Sequence, residues 1–239
     1  MTLLNEEQNN TLNKKIAEFQ NKHPGYTVIY LTLTGSKMYG LNTERSDTDI
    51  KGIFIPSKRD LFLQKVDDVF SFNTEKVAKN TAEDIDFTIF SIHHFLQRFQ
   101  KSEANAVEIF FSMFREDIIL IESKESLIIR EYLKDIPNKI DITPFIRFGE
   151  SFLKRTKNNG DKPMSHALRL SYHALELFET NHITFPIHPE WKEEIMRVKL
   201  GQVDLIDTIR LIQSNIDKVE SDKNHQPYSL DEFLLSFYQ

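Results

Sequence analysis

Runs rich in β-branched and aromatic residues crowd into the part of this chain before residue 91. Tyr26-Thr27-Val28-Ile29-Tyr30-Leu31-Thr32-Leu33 reads as a strand. Asp47-Thr48-Asp49-Ile50-Lys51-Gly52-Ile53-Phe54-Ile55, ended by Pro56, reads as a second, and Val66 to Phe72 as a third. Asp84-Ile85-Asp86-Phe87-Thr88-Ile89-Phe90 alternates polar and apolar residues before its β-branched run and reads as a fourth. Helical spacing frames them: Leu12, Ile16 and Phe19 mark an amphipathic helix over 5–21, and residues 58–63 suit a short one. Ser91 can cap a helix over Ile92 to Gln100, with another over Ala104 to Phe111.

Beyond about residue 115 the strand signals fade. Helical stretches near 124–134, 143–158, 163–180, 190–199, 203–219 and 229–237 predict an all-helical second half. The expected class is therefore α+β, a small mixed sheet with flanking helices followed by a helical domain. The expected division is residues 1–115 and 116–239. A chain of 239 residues can bury a core for one domain or two.

Composition excludes several chemistries. The chain has no cysteine, which removes disulfide scaffolds, thiol catalysis and thiolate metal sites, and fits a cytoplasmic protein best. The opening Met1-Thr2-Leu3-Leu4-Asn5-Glu6-Glu7 is not a basic region followed by an apolar run, so no signal peptide is expected. No apolar stretch approaches the ~20 residues of a membrane helix. A net charge of −6 argues against coating of nucleic acid by the whole molecule, while leaving room for a local basic groove.

The chemistry-bearing residues are acidic. On a strand, residues two apart point to the same side, so Asp47 and Asp49 project together, about 7 Å apart along the chain. Ionised carboxylates on one face repel, and a divalent cation between them removes the penalty. Asp86, between Ile85 and Phe87, can face the same side from another strand. Asp84 would replace it after a shift in register; the apolar neighbours of Asp86 favour the latter. Three oxygen donors of this kind suit Mg²⁺, which keeps several waters and accepts phosphate oxygens. Upstream, Gly35-Ser36 ends the first strand. A glycine there lets the backbone approach a triphosphate, with the serine hydroxyl and the amides of a following helix to hold it; a simple tight turn would also use it.

The ordered run Thr34-Gly35-Ser36-Lys37-Met38-Tyr39-Gly40 through Ser46-Asp47-Thr48-Asp49-Ile50-Lys51-Gly52-Ile53-Phe54 resembles the predicted nucleotidyltransferases of the DNA polymerase beta superfamily. Within it the chain is most similar to the RNA-ligase-associated, polymerase-beta-like group, RlaP. Gly35-Ser36 matches the superfamily's Gly-Ser, Asp47 and Asp49 its paired carboxylates, and Asp86 its third. Tyr39-Gly40 and Ser46 match the narrower group. The likeness is tight over roughly 26–115 and looser beyond, and His93-His94 departs mildly from an expected basic pair.

The resemblance implies two-metal nucleotidyl transfer from an NTP, with two Mg²⁺ or Mn²⁺ ions. Asp47 and Asp49 would bridge the metals and Asp86 would help activate the nucleophile. Gly35 and Ser36 would hold the β- and γ-phosphates, with Ser46 in the same phosphate-binding set. Lys51 would add phosphate stabilisation or pair with a neighbouring Asp.

In the helical half, Lys162, His166, Arg169 and His173 fall at i, i+4, i+7 and i+11, a narrow arc of one face, with Pro163 suited to the first turn. Leu168, Leu175 and Phe178 lie opposite. The arc resembles the helix that follows the catalytic domain in the same group. Lys162, His166 and Arg169 either bind phosphates of nucleotide or acceptor, or form a solvated polar face. Arg147, Lys154, Arg155 and Lys157 make a second basic cluster, expected mostly to face water.

Three functions compete. The first is transfer to a nucleic-acid end, with RNA repair suggested by the resemblance to ligase-associated proteins; a close variant transfers to a protein or small molecule. A phosphatase with an aspartyl nucleophile would place Asp47 at the end of a hydrophobic strand, whereas here the hydrophobic run follows. A non-catalytic nucleotide-binding module would be signalled by loss of a carboxylate or of Gly-Ser, and all are present.

Overall fold

The computed structural model describes residues 3–74, 81–136, 140–159, 161–219 and 228–238, with backbone alone for 155–159 and 205; the side chains of Arg155 and Lys157 thus lie outside it. Two compact units emerge: Met1–Gln97 with Ser112–Tyr132 and Leu230–Gln239, and Arg98–Phe111 with Leu133–Ser229.

The first unit begins with α1 (Glu6–Lys22), whose Asn5 cap and Gln8 side chain bond reciprocally in a capping box. Strand β1 (Thr27–Leu33) leads through α2 (Gly35–Tyr39) to β2 (Thr48–Ile55). Then come α3 (Lys58–Phe62), β3 (Val69–Asn73), β4 (Ile85–Ser91) and α4 (Ile92–Gln100), which runs on into the second unit. Helix α5 (Ala104–Ser112) lies mostly in the second unit; β5 (Ile119–Glu122) and nearly all of α6 (Lys124–Leu133) belong to the first.

The five strands form one mixed sheet in the order β3-β4-β2-β1-β5. β2 and β4 are parallel, and the other neighbours antiparallel. The α+β expectation holds. β5 was not foreseen: Ile119-Leu120-Ile121-Glu122 is too short and too uniformly apolar to show a period of two.

Register sorts the side chains into two faces. Ile50 and Phe54 share one with Phe87 and Ile89 on β4 and Phe70 and Phe72 on β3. There α1 seats Phe19, its ring centroid 5.2 Å from Phe54 and 4.8 Å from Phe70. Burial of such rings supplies about 2–3 kcal/mol apiece before conformational entropy is counted. The other face carries Asp49 and Lys51, Asp86 and Thr88, and Ser71 and Asn73. This polar half of the sheet lies where α1 does not.

The second unit is helical. It is built from α7 (Thr143–Asn159), α8 (Asp161–Thr180), α9 (Pro189–Lys199) and α10 (Leu205–Val219), with α8 packed against the other three. Centrality explains why α8 is buried on nearly every side rather than along one stripe. The last described helix, α11 (Asp231–Ser236), belongs to the first unit, where Phe233 stacks on Tyr132 at 3.8 Å between ring centroids. No described helix is long and apolar enough to cross a membrane.

Candidate active site

Two strand starts bring the acidic residues together. Asp49 is the second residue of β2 and Asp86 the second of β4, and the parallel register pairs them directly. Asp47 sits just before β2. One carboxylate oxygen from each of Asp47, Asp49 and Asp86 lies within 4.8 Å of the others, all three half-buried. Three like charges this close repel strongly in partly desolvated surroundings. An all-oxygen donor set with that spacing fits a hard divalent cation.

Asp84 is occupied elsewhere: its carboxylate accepts from the Thr81 amide and hydroxyl, each at 2.8 Å, and from Thr74 at 3.2 Å. It therefore organises the turn into β4. The register leaves Asp86 beside Asp49.

Gly35 closes against this cluster. Its φ is +59°, a region that glycine adopts without strain, and a Cβ there would stand 1.9 Å from Asp49 Oδ2. Both facts demand glycine. The Thr34 amide donates to the Asp49 carbonyl at 2.8 Å, so the strand end and the carboxylate strand are stitched together. Beyond it, the Ser36 Oγ is buried with no hydrogen-bond partner, as is the Thr34 hydroxyl. A buried hydroxyl left unmet costs about 1–3 kcal/mol, which a ligand oxygen or a water would recover. Behind α2, Arg115 donates to the Met38 carbonyl at 2.6 Å.

Lys51 follows Asp49 by two residues on the same face, paired across the strands with Thr88 and Thr32. A cleft of about 540 Å³ opens over this face, lined by Asp49, Lys51, Ser71, Asn73, Asp86 and Thr88 among others. Ser46 instead serves its own loop: its hydroxyl accepts from the Thr43 amide at 2.9 Å.

Lys37, to which the sequence analysis gave no role, stands behind the acids. Its ammonium donates to Thr48 Oγ1 at 2.6 Å, and Thr48 lies between Asp47 and Asp49 in the chain. Burial pushes its pKa below the ordinary lysine range, opposed by Asp47, Asp49 and Glu83. The signal was its position directly after Gly35-Ser36.

The basic arc of α8 lies in the second unit. Lys162 is exposed and His166 half-buried, stacked on Phe152 at 5.0 Å between centroids. Burial, with help from Arg169, Lys162 and Lys199, lowers the His166 pKa to about 4, so the ring is neutral near pH 7. Arg169 is 5% exposed and forms an ion pair with Glu108, itself 3% exposed, on α5. The fully buried His173 donates from Nδ1 to Glu108 Oε1 at 3.0 Å. The arc thus runs from solvent at Lys162 into the interior at Arg169 and His173.

The chain is similar to known proteins to different degrees. A nucleotidyltransferase-like protein from Exiguobacterium sibiricum 255-15 aligns in structure over 86% of this chain and 72% of its own, at a TM-score of 0.32 and 10% identity. An uncharacterized 38.9 kDa protein of the nrdC-mobD intergenic region of Enterobacteria phage T4 is 36% identical over 75 residues. That match spans 31% of this chain and 22% of the phage protein. The model of the RlaP family, described as the RNA repair pathway DNA polymerase beta family, matches residues 8–234. The chain belongs to the RlaP family, the RNA repair pathway DNA polymerase beta family.

Proposed function

We propose that this protein transfers a nucleotidyl group from an NTP to an acceptor hydroxyl, with an RNA end as the acceptor. The observation that carries the reading is the convergence of Asp47, Asp49 and Asp86 within 4.8 Å on one open sheet face. The Gly35–Ser36 turn beside it supports a triphosphate site. The family's association with RNA repair favours RNA over a protein or small molecule.

Asp47, Asp49 and Asp86 would hold Mg²⁺ or Mn²⁺, two ions in the scheme the family implies. When bound, such ions lower the pKa of a hydroxyl and offset phosphate charge. The acceptor oxygen forms a bond to the α-phosphorus as the bond to the bridging oxygen of the β-phosphate breaks, and pyrophosphate leaves. Asp86, on the β3 side of Asp49, accepts the hydrogen bond of the attacking hydroxyl. Ser36 donates its buried hydroxyl to a β- or γ-phosphate oxygen, and Gly35 lets the phosphates approach where any larger residue would collide with Asp49. Lys51 supplies a cation on the same face. Ser46 shapes the loop that delivers Asp47, and contributes to the phosphate set through that loop. In the helical unit, Lys162 and His166 offer an exposed ammonium and a neutral imidazole to phosphate and sugar oxygens, while Arg169 supports them from its pair with Glu108.

The test is incubation with each α-³²P-labelled NTP, Mg²⁺ or Mn²⁺, and RNA, DNA or cell-extract acceptors. Label on RNA that needs Asp47 is the expected result, and its base identifies the NTP. Label on protein or small molecules would move the acceptor, and NTP binding with no label anywhere would point to a non-catalytic module.

A further inference from the structure

Lys37 forms a structural node behind the carboxylates. Thr48 is fully buried, and its hydroxyl oxygen accepts from Lys37 Nζ at 2.6 Å and from Gln8 Nε2 at 3.0 Å. Gln8 also donates to the Ala82 carbonyl at 3.2 Å, and the Thr48 amide donates to the Asp84 carbonyl at 2.9 Å. Asn5 reaches Glu83 at 2.8 Å. The helix α1 start, the β2 start and the turn into β4 are therefore joined at one threonine. Lys37 brings an ammonium to the node, and Asp47 and Asp49 flank the residue that tethers it.

A charge fixed this way does two things. It offsets the mutual repulsion of the carboxylates when no cation is bound, and it opposes the arrival of a cation. Asp47, Asp49 and Glu83 all favour the charged form of Lys37, whereas its partial burial disfavours it. A divalent ion entering the Asp47–Asp49–Asp86 cluster would meet three carboxylates, with Lys51 on their own face and the Lys37 charge behind them.

Resting on the assignment of that cluster as the metal site, we propose that Lys37, tethered by Thr48, is a charge-balancing residue that weakens divalent-ion binding in the absence of nucleotide. Metal retention then depends on the phosphates of the NTP, so metal and nucleotide load together. The role is electrostatic, and it separates from a merely structural one by sign: damage to the site can only weaken metal binding, whereas loss of the charge strengthens it.

The experiment titrates metal-free protein with Mn²⁺ and follows free Mn²⁺ by electron paramagnetic resonance, with and without a non-hydrolysable NTP analogue. Lys37→Gln keeps a hydrogen-bond donor for Thr48 and removes the charge; Lys37→Met removes both, and Lys37→Arg keeps the charge. Circular dichroism melts establish that each variant is folded. Lys37→Gln should bind Mn²⁺ about three- to tenfold more tightly without nucleotide, an amount expected of one partly screened charge. The enhancement of metal binding by nucleotide should shrink by the same factor, and Lys37→Arg should match the wild type. Unchanged or weaker Mn²⁺ binding in Lys37→Gln, beside a wild type whose binding is lost in Asp49→Asn, overturns the role of Lys37 alone. A wild type that binds no Mn²⁺ through Asp49 overturns both this role and the metal site.

Discussion

The molecule holds two clusters of ionisable groups, and they are built on opposite principles. On the sheet, three carboxylates of one sign stand half-buried within 4.8 Å of each other at the edge of an open cleft. In the helical unit, Glu108, Arg169 and His173 are sealed from solvent, with opposite charges in contact and a neutral imidazole donating to the same carboxylate. Like charges in the first arrangement repel one another, and a divalent cation among them would remove that penalty. The second sets its opposite charges against each other directly. A cluster of like charges marks chemistry; a pair of opposite charges marks architecture, because removing either partner leaves a charge stranded indoors.

That contrast can be broken in several places. The largest effect is expected from Asp47→Ala/Asp49→Ala, which should lower transfer by about a thousandfold or more while leaving the melting temperature equal or higher, since like-charge repulsion is relieved. A radiolabel assay beside a thermal melt checks both halves, and a fall in melting temperature of many degrees would place these residues with the architecture instead. Glu108→Ala should do the reverse. Stranding Arg169 costs about 3–5 kcal/mol of stability, read as a lower denaturant midpoint. A variant as stable as the wild type would contradict the sealed-pair reading.

Gly35→Ala should come next. The new Cβ forces Asp49 aside, and a displacement of about 1 Å costs about a hundredfold in transfer; retention of near-full activity would mean that Asp49 does not need its present position.

A smaller, pH-dependent effect belongs to His166. Folded, its pKa is about 4; unfolded, it returns to the ordinary 6.5. Between those values the unfolded chain binds the extra proton, so this contribution to stability is complete above pH 6.5 and is lost as pH falls towards 4. His166→Phe, which preserves a ring against Phe152, should flatten the pH dependence of stability in that window, and an unchanged slope would contradict the burial of a neutral imidazole. The smallest effect should be that of Lys162→Ala, about a two- to fivefold rise in KM with kcat nearly constant, as expected for one exposed charge. A large fall in kcat would give Lys162 a part in the reaction itself.

The sheet was legible because its face toward α1 is apolar and its other face polar, which forces a period of two on the strands that carry Asp49 and Asp86. Gly35-Ser36 and the spacing to Asp47 were legible because phosphate approach and paired carboxylates tolerate few residue types. Less could be read where burial is complete. The arc from Lys162 to His173 has the spacing of an amphipathic face, yet α8 is wrapped by three helices, and no sequence period tells a neutralised interior arginine from one facing water. β5 was invisible because four residues carry no period. Lys37 escaped notice because its importance lies in a tertiary contact with Thr48, a residue eleven positions away whose hydroxyl reads as an ordinary strand threonine.

The most direct test of the central claim is anomalous diffraction from crystals grown with Mn²⁺ and a non-hydrolysable NTP analogue. Anomalous peaks among Asp47, Asp49 and Asp86, with the triphosphate against Gly35 and Ser36, are the expected result. Ordered nucleotide bound away from this face, or Mn²⁺ absent from the three carboxylates at saturating concentration, would contradict it.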